Sequence, residues 1–384
     1  MANDDTKTGS GRNVRGLRLA IVGGGTGGHV VPGLHLLEHL FEAGGTTLED
    51  LVWFETGRRA EIASLARLEH LVGDTPCARI RIRVEPTGGG APSMRRLLVR
   101  TPGAMLRART ALKQHRPDVL FGLGGFTLLP TVLAAKSLGI PVALLEINAQ
   151  PGRAVRTLTP LVKRVYHAWE ASIPGSEDKR HLLTGPPLSS SLFTSGEPEA
   201  WRRKVGEGPL IVLLGGSQGA GVLNELVATS LDTWLAAGLT VVHQVGPGNM
   251  ASGAASPRPG YLPLEFVDDV PGLLRAARLV VCRAGASTLA EVAALGVPAL
   301  AVPYPGAGAH QADNARQLLG GIEVIANERL AAEGSAMVLD LASEAKSAWR
   351  AEARELLQKR VPARASSQIL ADLLELAGLS PARP

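Results

Sequence analysis

The sequence predicts an α/β protein built from two Rossmann-like, doubly wound domains that face each other across a cleft. Three observations predict it. Short apolar runs alternate with longer amphipathic segments, the pattern restarts near the middle of the chain, and each half opens with a glycine-rich strand-to-helix junction. Such alternation argues for parallel sheets covered by helices on both faces. The length of 384 residues also exceeds the roughly 250–300 at which a single core stops growing.

In the first half, Leu17–Val22, Leu51–Phe54, Arg79–Val84, Val119–Phe121 and Val142–Leu145 read as strands, being short and rich in apolar residues. Arg58–Leu71 and Thr127–Leu138 carry helical spacing between them. A Pro/Ser-rich stretch, Gly185–Ser195, marks the joint. Beyond it Leu210–Leu214, Thr240–Val245, Leu279–Cys282 and Ala299–Val302 are strands, with helices near Ala220–Trp234, Ser287–Leu295 and Gln311–Leu319. Residues 1–15 are polar and lack the apolar run of a signal peptide, so they read as a disordered tail. An N-terminal domain over 16–187 and a C-terminal domain over 188–361 follow, with a last helical segment over about 362–384.

Composition narrows the class. With 45% hydrophobic residues, 45 Gly and 26 Pro, the chain can fill real cores and turn tightly between elements. The two cysteines, Cys77 and Cys282, make no disulfide framework and suit a reducing cytoplasm. The most membrane-like stretch, Thr127–Leu145, is interrupted by Pro130, Lys136 and Pro141, which fits a helix followed by a buried strand better than a span. A net charge of +5 suits anionic partners: phosphate groups, an acidic membrane face or nucleic acid.

The glycine loops carry the chemistry. Gly23, Gly25 and Gly28 satisfy G-x-G-x-x-G after a strand, and Glu55 at the end of the next strand could serve as a ribose ligand, so a dinucleotide-binding oxidoreductase is one reading. Against it, His29 follows the glycines directly and sets a proton acceptor beside a site where backbone N–H groups and a helix dipole favour anions. A helix-capping histidine is the plainer alternative. The second half repeats the theme at Gly215-Gly216-Ser217-Gln218-Gly219 and again at Gly285-Ala286-Ser287-Thr288, with Glu291 one turn further on. Loops of this kind hold phosphate, and a carboxylate just beyond can accept hydrogen bonds from vicinal ribose hydroxyls.

Taken in order, GGGTGGHVVPGL (23–34), DVLFGLGGF (118–126), SLGIPVALLEINAQPG (137–152), LLGGSQGAGVLN (213–224), EFVDDV (265–270), CRAGASTLAEVAALGVPALAVPYP (282–305) and HQADNA (310–315) resemble the MurG branch of glycosyltransferase family 28 over about residues 17–360. The resemblance implies the GT-B arrangement, with donor nucleotide in the C-terminal domain, acceptor near the N-terminal one, and a final helix near Ser366–Leu376 crossing back. It implies UDP-N-acetylglucosamine as donor, the undecaprenyl-linked lipid I as acceptor, inversion to a β-1,4 link, no cofactor and no nucleic-acid partner. Carried over by position, Glu291 takes the ribose, Ser217 with Gly285, Ala286, Ser287 and Thr288 the diphosphate, Phe266 the uracil through its backbone, and His310 and Gln311 the donor sugar. Thr26, Gly27, Gly28, Gln218 and Gly219 complete the loops on the donor side. His29, Glu146 and Asn148 face the acceptor (Asn148 also reaching the donor), and His29 or Glu146 is the catalytic base, His29 being preferred for its ordinary pKa of about 6.5. No D-x-D occurs to hold a metal-bound diphosphate. The chain departs from the family pattern at Ile147, Ser189, Phe126 and His310, which leaves a paralogue with another sugar or acceptor, or an inactive nucleotide-binding protein, as alternatives.

The segment Ser93–His115 sets Met94, Leu97, Leu98, Val99, Met105 and Leu106 beside Arg95, Arg96, Arg100, Arg107 and Arg109. Thr101-Pro102 reads as an N-cap followed by Pro at the first helical position, giving two short elements. Apolar and arginine residues interleaved in this way suit docking on the anionic cytoplasmic face of a membrane without spanning it. The alternative is an ordinary helix that buries its stripe in its own domain.

Overall fold

The computed structural model describes residues 15–379 apart from 26, 43–45, 85–93, 176, 195, 217, 251–255, 307–309 and 363. Residues 1–14 of the expected tail lie outside the described residues. The first sheet contains β1 (Leu17–Gly23), β2 (Leu48–Glu55), β3 (Cys77–Arg81), β4 (Val119–Gly124), β5 (Val142–Glu146), β6 (Arg164–His167) and β7 (His181–Leu183). They pair in the order β3-β2-β1-β4-β5-β6-β7. The second contains β8 (Leu210–Leu214), β9 (Thr240–Gln244), β10 (Tyr261–Leu264), β11 (Leu279–Cys282), β12 (Ala299–Ala301) and β13 (Ile322–Val324), in the order β10-β9-β8-β11-β12-β13. The central strands β4, β5, β8, β9 and β11 are buried at every position, as strands covered on both faces must be.

In each sheet the chain winds to one edge and then resumes on the other side of its first strand. The order therefore reverses between β1 and β4, and between β8 and β11. Ligands of open parallel sheets bind outside the carboxyl ends of the strands at such a reversal. All three glycine-rich loops read from the sequence leave strands that flank one.

The last helix, Ala365–Leu376, returns to the first domain. Its Ile369, Leu370, Leu373 and Leu374 join the cluster that holds Leu17, Leu34 and Leu37, each such burial contributing about 1.5–3 kcal/mol. Tyr166 Oη donates to Asp372 Oδ2 at 2.7 Å and fixes the register of this return.

Three element assignments are corrected. The third strand ends at Arg81 rather than Val84, although Ile82 N still donates to Glu55 O at 2.8 Å. The helix placed at Gln311–Leu319 runs His310–Arg316, because the chain must turn at Gly320 (φ 92°) to enter β13. The pair of short elements around Pro102 is one helix, Met94–His115. Thr101 Oγ1 is buried with no hydrogen-bond partner among the described residues, so it caps nothing there. Pro102 costs that helix a hydrogen bond, and burial of Ala104, Ala108, Ala111 and Leu112 against the sheet and the helix Leu128–Ser137 holds it together. The inward stripe therefore belongs to its own domain. Val99 (79% exposed), Leu106 (66% exposed), Arg100 and Arg107 stay outside. For Met94, Arg95, Arg96, Leu97 and Leu98 only the helical backbone is described. Among the described residues no helix is long and apolar enough to cross a membrane.

Candidate functional site

The first loop leaves β1 at Gly23 and forms a 3₁₀ turn, Gly27–His29, before the helix Val31–Glu42. His29 thus closes a turn instead of opening the helix. Its Nδ1 lies 3.2 Å from Gly24 O. A carbonyl can only accept, so in the neutral ring the proton sits on Nδ1 and the lone pair on Nε2. The ring lies on Gly124 at the end of β4, whose φ of 122° suits glycine. A methyl group there would stand 2.8 Å from His29 Cδ2 and 3.0 Å from Nε2. Burial lowers the His29 pKa below its ordinary value, outweighing the carbonyl hydrogen bond. The imidazole is therefore neutral near pH 7 and presents a basic nitrogen at the strand-order reversal. Thr26 lies outside the described residues, while Gly27 and Gly28 form the turn.

Glu146 ends β5 and is buried. Its Oε1 accepts from Asn148 N (2.9 Å) and Asn148 Nδ2 (3.1 Å), and Oε2 from Gly152 N (2.7 Å). Burial raises its pKa, and those donors pull the other way. With three lone-pair positions committed, this carboxylate holds the 147–152 loop in shape. Asn148 in turn meets the other domain. Asn314 Nδ2 donates to Asn148 Oδ1 at 3.3 Å, and Asn314 Oδ1 accepts from Ala149 N at 2.8 Å. Asn314, which sequence reasoning gave no role, is a buried residue of the helix His310–Arg316.

On the facing domain, β8 runs into the 215–220 loop and the helix Gly221–Ala236, whose N-cap residue Ala220 supplies no side-chain cap. Gly219 (φ 72°) sits so close to β9 that a methyl group would stand 2.3 Å from Val245 O. Ser217 lies outside the described residues, and Gln218 is exposed. From β11 the chain passes through Gly285 into the helix Ala286–Leu295, again without a side-chain cap. Uncapped helix starts keep their N–H groups for an anion. Ser287 Oγ is buried there with no hydrogen-bond partner among the described residues, a cost met when an acceptor arrives. Thr288 is half-buried beside it. Ala286 packs into the cluster of the first domain, so this helix start lies where the domains meet.

Glu291 lies one turn on, half-buried, and burial pushes its carboxyl up to about 7 against the opposing pull of Arg67. Phe266 is exposed after β10. His310 Nδ1 is buried without a hydrogen-bond partner among the described residues, and His310 is one of the groups that pull the Glu146 pKa down across the cleft. Gln311 Oε1 accepts from Tyr304 N at 2.9 Å. Arg283, also missed in the sequence, braces this side through Asn327 Oδ1 at 2.9 Å and the Tyr304 ring at 5.4 Å. Glu55 is not open to a ribose: it is buried, and Arg79 Nε and Nη2 hold its Oε2 at 2.9 and 2.7 Å. At the departure Ser189, the hydroxyl is spent on Ser191 Oγ at 2.6 Å.

Comparison with known proteins agrees with this layout. Residues 19–167 match the glycosyltransferase family 28 N-terminal domain, and residues 210–363 its C-terminal domain. A UDP-N-acetylglucosamine–N-acetylmuramyl-(pentapeptide) pyrophosphoryl-undecaprenol N-acetylglucosamine transferase of Synechococcus elongatus is 37% identical over 78% of this chain and 79% of its own. The Klebsiella pneumoniae protein of the same name is 34% identical over 90% of this chain and 97% of its own. The crystal structure of Acinetobacter baumannii MurG shares the fold, with a TM-score of 0.67 at 23% identity over 93% of this chain and 99% of that one. Two matched domains in order, on two facing Rossmann-like sheets, place this chain in glycosyltransferase family 28, in its MurG branch.

Proposed function

We infer that this chain is an inverting hexosyltransferase that moves N-acetylglucosamine from UDP-N-acetylglucosamine to the C4 hydroxyl of the N-acetylmuramic acid of lipid I, giving lipid II in peptidoglycan synthesis. The observation that supports this most is the pairing across one cleft of a neutral imidazole, lone pair on Nε2, with an uncapped helix start carrying the unpartnered Ser287 hydroxyl. His29 takes the proton from the attacking hydroxyl as the new C–O bond forms, and the bond to UDP breaks. The helix starts at Ala220 and Gly285, with Ser287 Oγ, receive the charge that collects on the leaving diphosphate. Glu291 holds the ribose. Glu146 positions Asn148 and is not the base.

The direct test is product analysis with lipid I and a panel of UDP-sugars. A disaccharide formed only with UDP-N-acetylglucosamine is the expected result, and transfer of another sugar, or to another acceptor alone, overturns the reading. Because helix starts handle the diphosphate here, turnover in excess chelator should stay within a few-fold of normal. Complete loss, restored by Mg²⁺ or Mn²⁺, would assign that charge to a metal.

A lipid-linked acceptor requires peripheral contact with the cytoplasmic membrane face and no nucleic acid. The helix Met94–His115 suits this contact through Val99, Leu106 and Arg100, each basic residue near an anionic surface adding about 1 kcal/mol. Co-sedimentation with liposomes at low salt should fall when Val99, Arg100 and Leu106 are changed together to Ser, and only where anionic lipid is present. Equal binding by both proteins would move the contact elsewhere.

A further inference from the structure

A second cationic feature lies beside the cleft and has no part in the chemistry above. A cavity of about 420 Å³ at the carboxyl end of β3 is lined by Arg79, Arg81, Arg83, Arg107 and Glu55. Three of the arginines alternate along β3 and the residues after it, while Ile80 and Ile82 between them pack into the core. The period of two therefore sends the three guanidiniums to one side. Arg107 joins them from the helix Met94–His115.

Four guanidiniums surround one carboxylate. Glu55 is committed to Arg79 and lies 3.8 Å from Arg81 Nη2, and Arg79 also lies 3.7 Å from Glu69. Arg83 and Arg107 have no carboxylate partner among the described residues. Ordinary edge-strand protection would explain charges along β3. It does not explain a further arginine brought by a separate helix into the same cavity, nor an excess of positive charge held around it.

Position identifies the anion. The His29 ring rests on Gly124, between the ends of β1 and β4 and two to three strands from β3, so the cavity is about 10–15 Å from the base along the row of strand ends. A pyranose ring bearing a diphosphate at its far carbon, met by extended arginine side chains, covers that distance. On the same helix, one position before Arg107, Leu106 is exposed, and Val99 is exposed two turns earlier. A cationic, anion-binding cavity that lies beside an exposed apolar ridge suits an amphiphile with a diphosphate joined to a hydrocarbon chain.

We propose that Arg81, Arg83 and Arg107 form the subsite for the acceptor's diphosphate, with its polyprenyl stem leaving along Leu106 and Val99. This rests on the lipid-linked acceptor inferred above, and Arg79 with Glu55 serves to orient the neighbouring guanidiniums. Arg83 and Arg107 are both exposed, so their loss leaves the core intact.

The test compares wild type with Arg83→Ser/Arg107→Ser and with Arg83→Lys/Arg107→Lys. Calorimetry with inorganic pyrophosphate and with geranyl diphosphate is run in saturating UDP, which occupies the donor site. The Ser pair should lose at least about tenfold in affinity for both probes, two charge-assisted contacts being removed. The Lys pair should recover part of that loss. Val99→Ser/Leu106→Ser should weaken geranyl diphosphate alone. In turnover, the Ser pair should raise KM for the lipid acceptor while KM for the UDP-sugar and kcat hold. Unchanged pyrophosphate affinity and acceptor KM would overturn the subsite. Loss of liposome binding with probe affinity intact would also overturn it, and give these arginines to membrane headgroups. If wild type makes no lipid-linked product yet the Ser pair loses pyrophosphate, the acceptor reading fails while the anion site stands.

Discussion

Replacing His29 with alanine lowers kcat by about 10²–10⁴-fold, the usual range for loss of a general base, and leaves UDP affinity unchanged. The hydrogen bond to Gly24 O decides which nitrogen is basic, and the ring is pinned on Gly124. Because burial lowers the pKa of His29, its basic form persists below the ordinary histidine value. At saturating UDP-sugar, kcat should therefore hold from neutral pH down past about 6.5 and fall only at more acidic pH. Glu146→Ala should behave differently. Freeing Asn148 and Gly152 loosens the loop that meets Asn314, so thermal stability falls along with activity. Steady-state kinetics decides between them: near-normal kcat in His29→Ala with a fully dead but stable Glu146→Ala would reverse the roles.

Glu291→Ala weakens UDP binding by about tenfold or more, since a hydrogen bond to a charged group contributes about 1.5–3 kcal/mol and about 1.4 kcal/mol is a factor of ten. This carboxyl also gives the affinity a pH dependence. In the empty site burial holds its pKa at about 7, whereas ribose hydroxyls donate to the ionised form. Binding must then release a proton. Affinity for UDP-N-acetylglucosamine rises with pH up to about 7, levels off above it, and falls on the acid side. Glu291→Gln should flatten that slope. Calorimetry in buffers of differing ionisation enthalpy measures the released proton directly, and a pH-independent affinity would remove Glu291 from the ribose.

Much of this site is legible in the sequence for a physical reason. Glycine loops after apolar strands are local patterns, and the strand order sets the loops after β1, β8 and β11 at the reversals. The central strands are legible because both faces are buried. β10 is harder to see, since Pro263 cannot donate to a ladder, and Pro is tolerated because this strand is at the sheet edge. The edge strands β7 and β13 are three residues each, too short for periodicity to register. The resemblance brings Glu146 to the site, but its bonds to Asn148 and Gly152 depend on a loop conformation that spacing does not reveal. Asn314 pairs with residues more than 160 positions away (|i−j| 165 and 166), and nothing in its neighbourhood announces that. The helix at Pro102 shows tertiary burial overriding a local stop signal.

The return of the last helix has a consequence for how the protein is made. Ile369, Leu370, Leu373 and Leu374 complete the core of the first domain, so that domain leaves the ribosome with a greasy groove open along its first helix. At about 5–20 residues per second, the intervening C-terminal half takes roughly 10–40 s to appear. During that interval the core of the nascent first domain is incomplete, and its final folding step waits for the second domain to be synthesised.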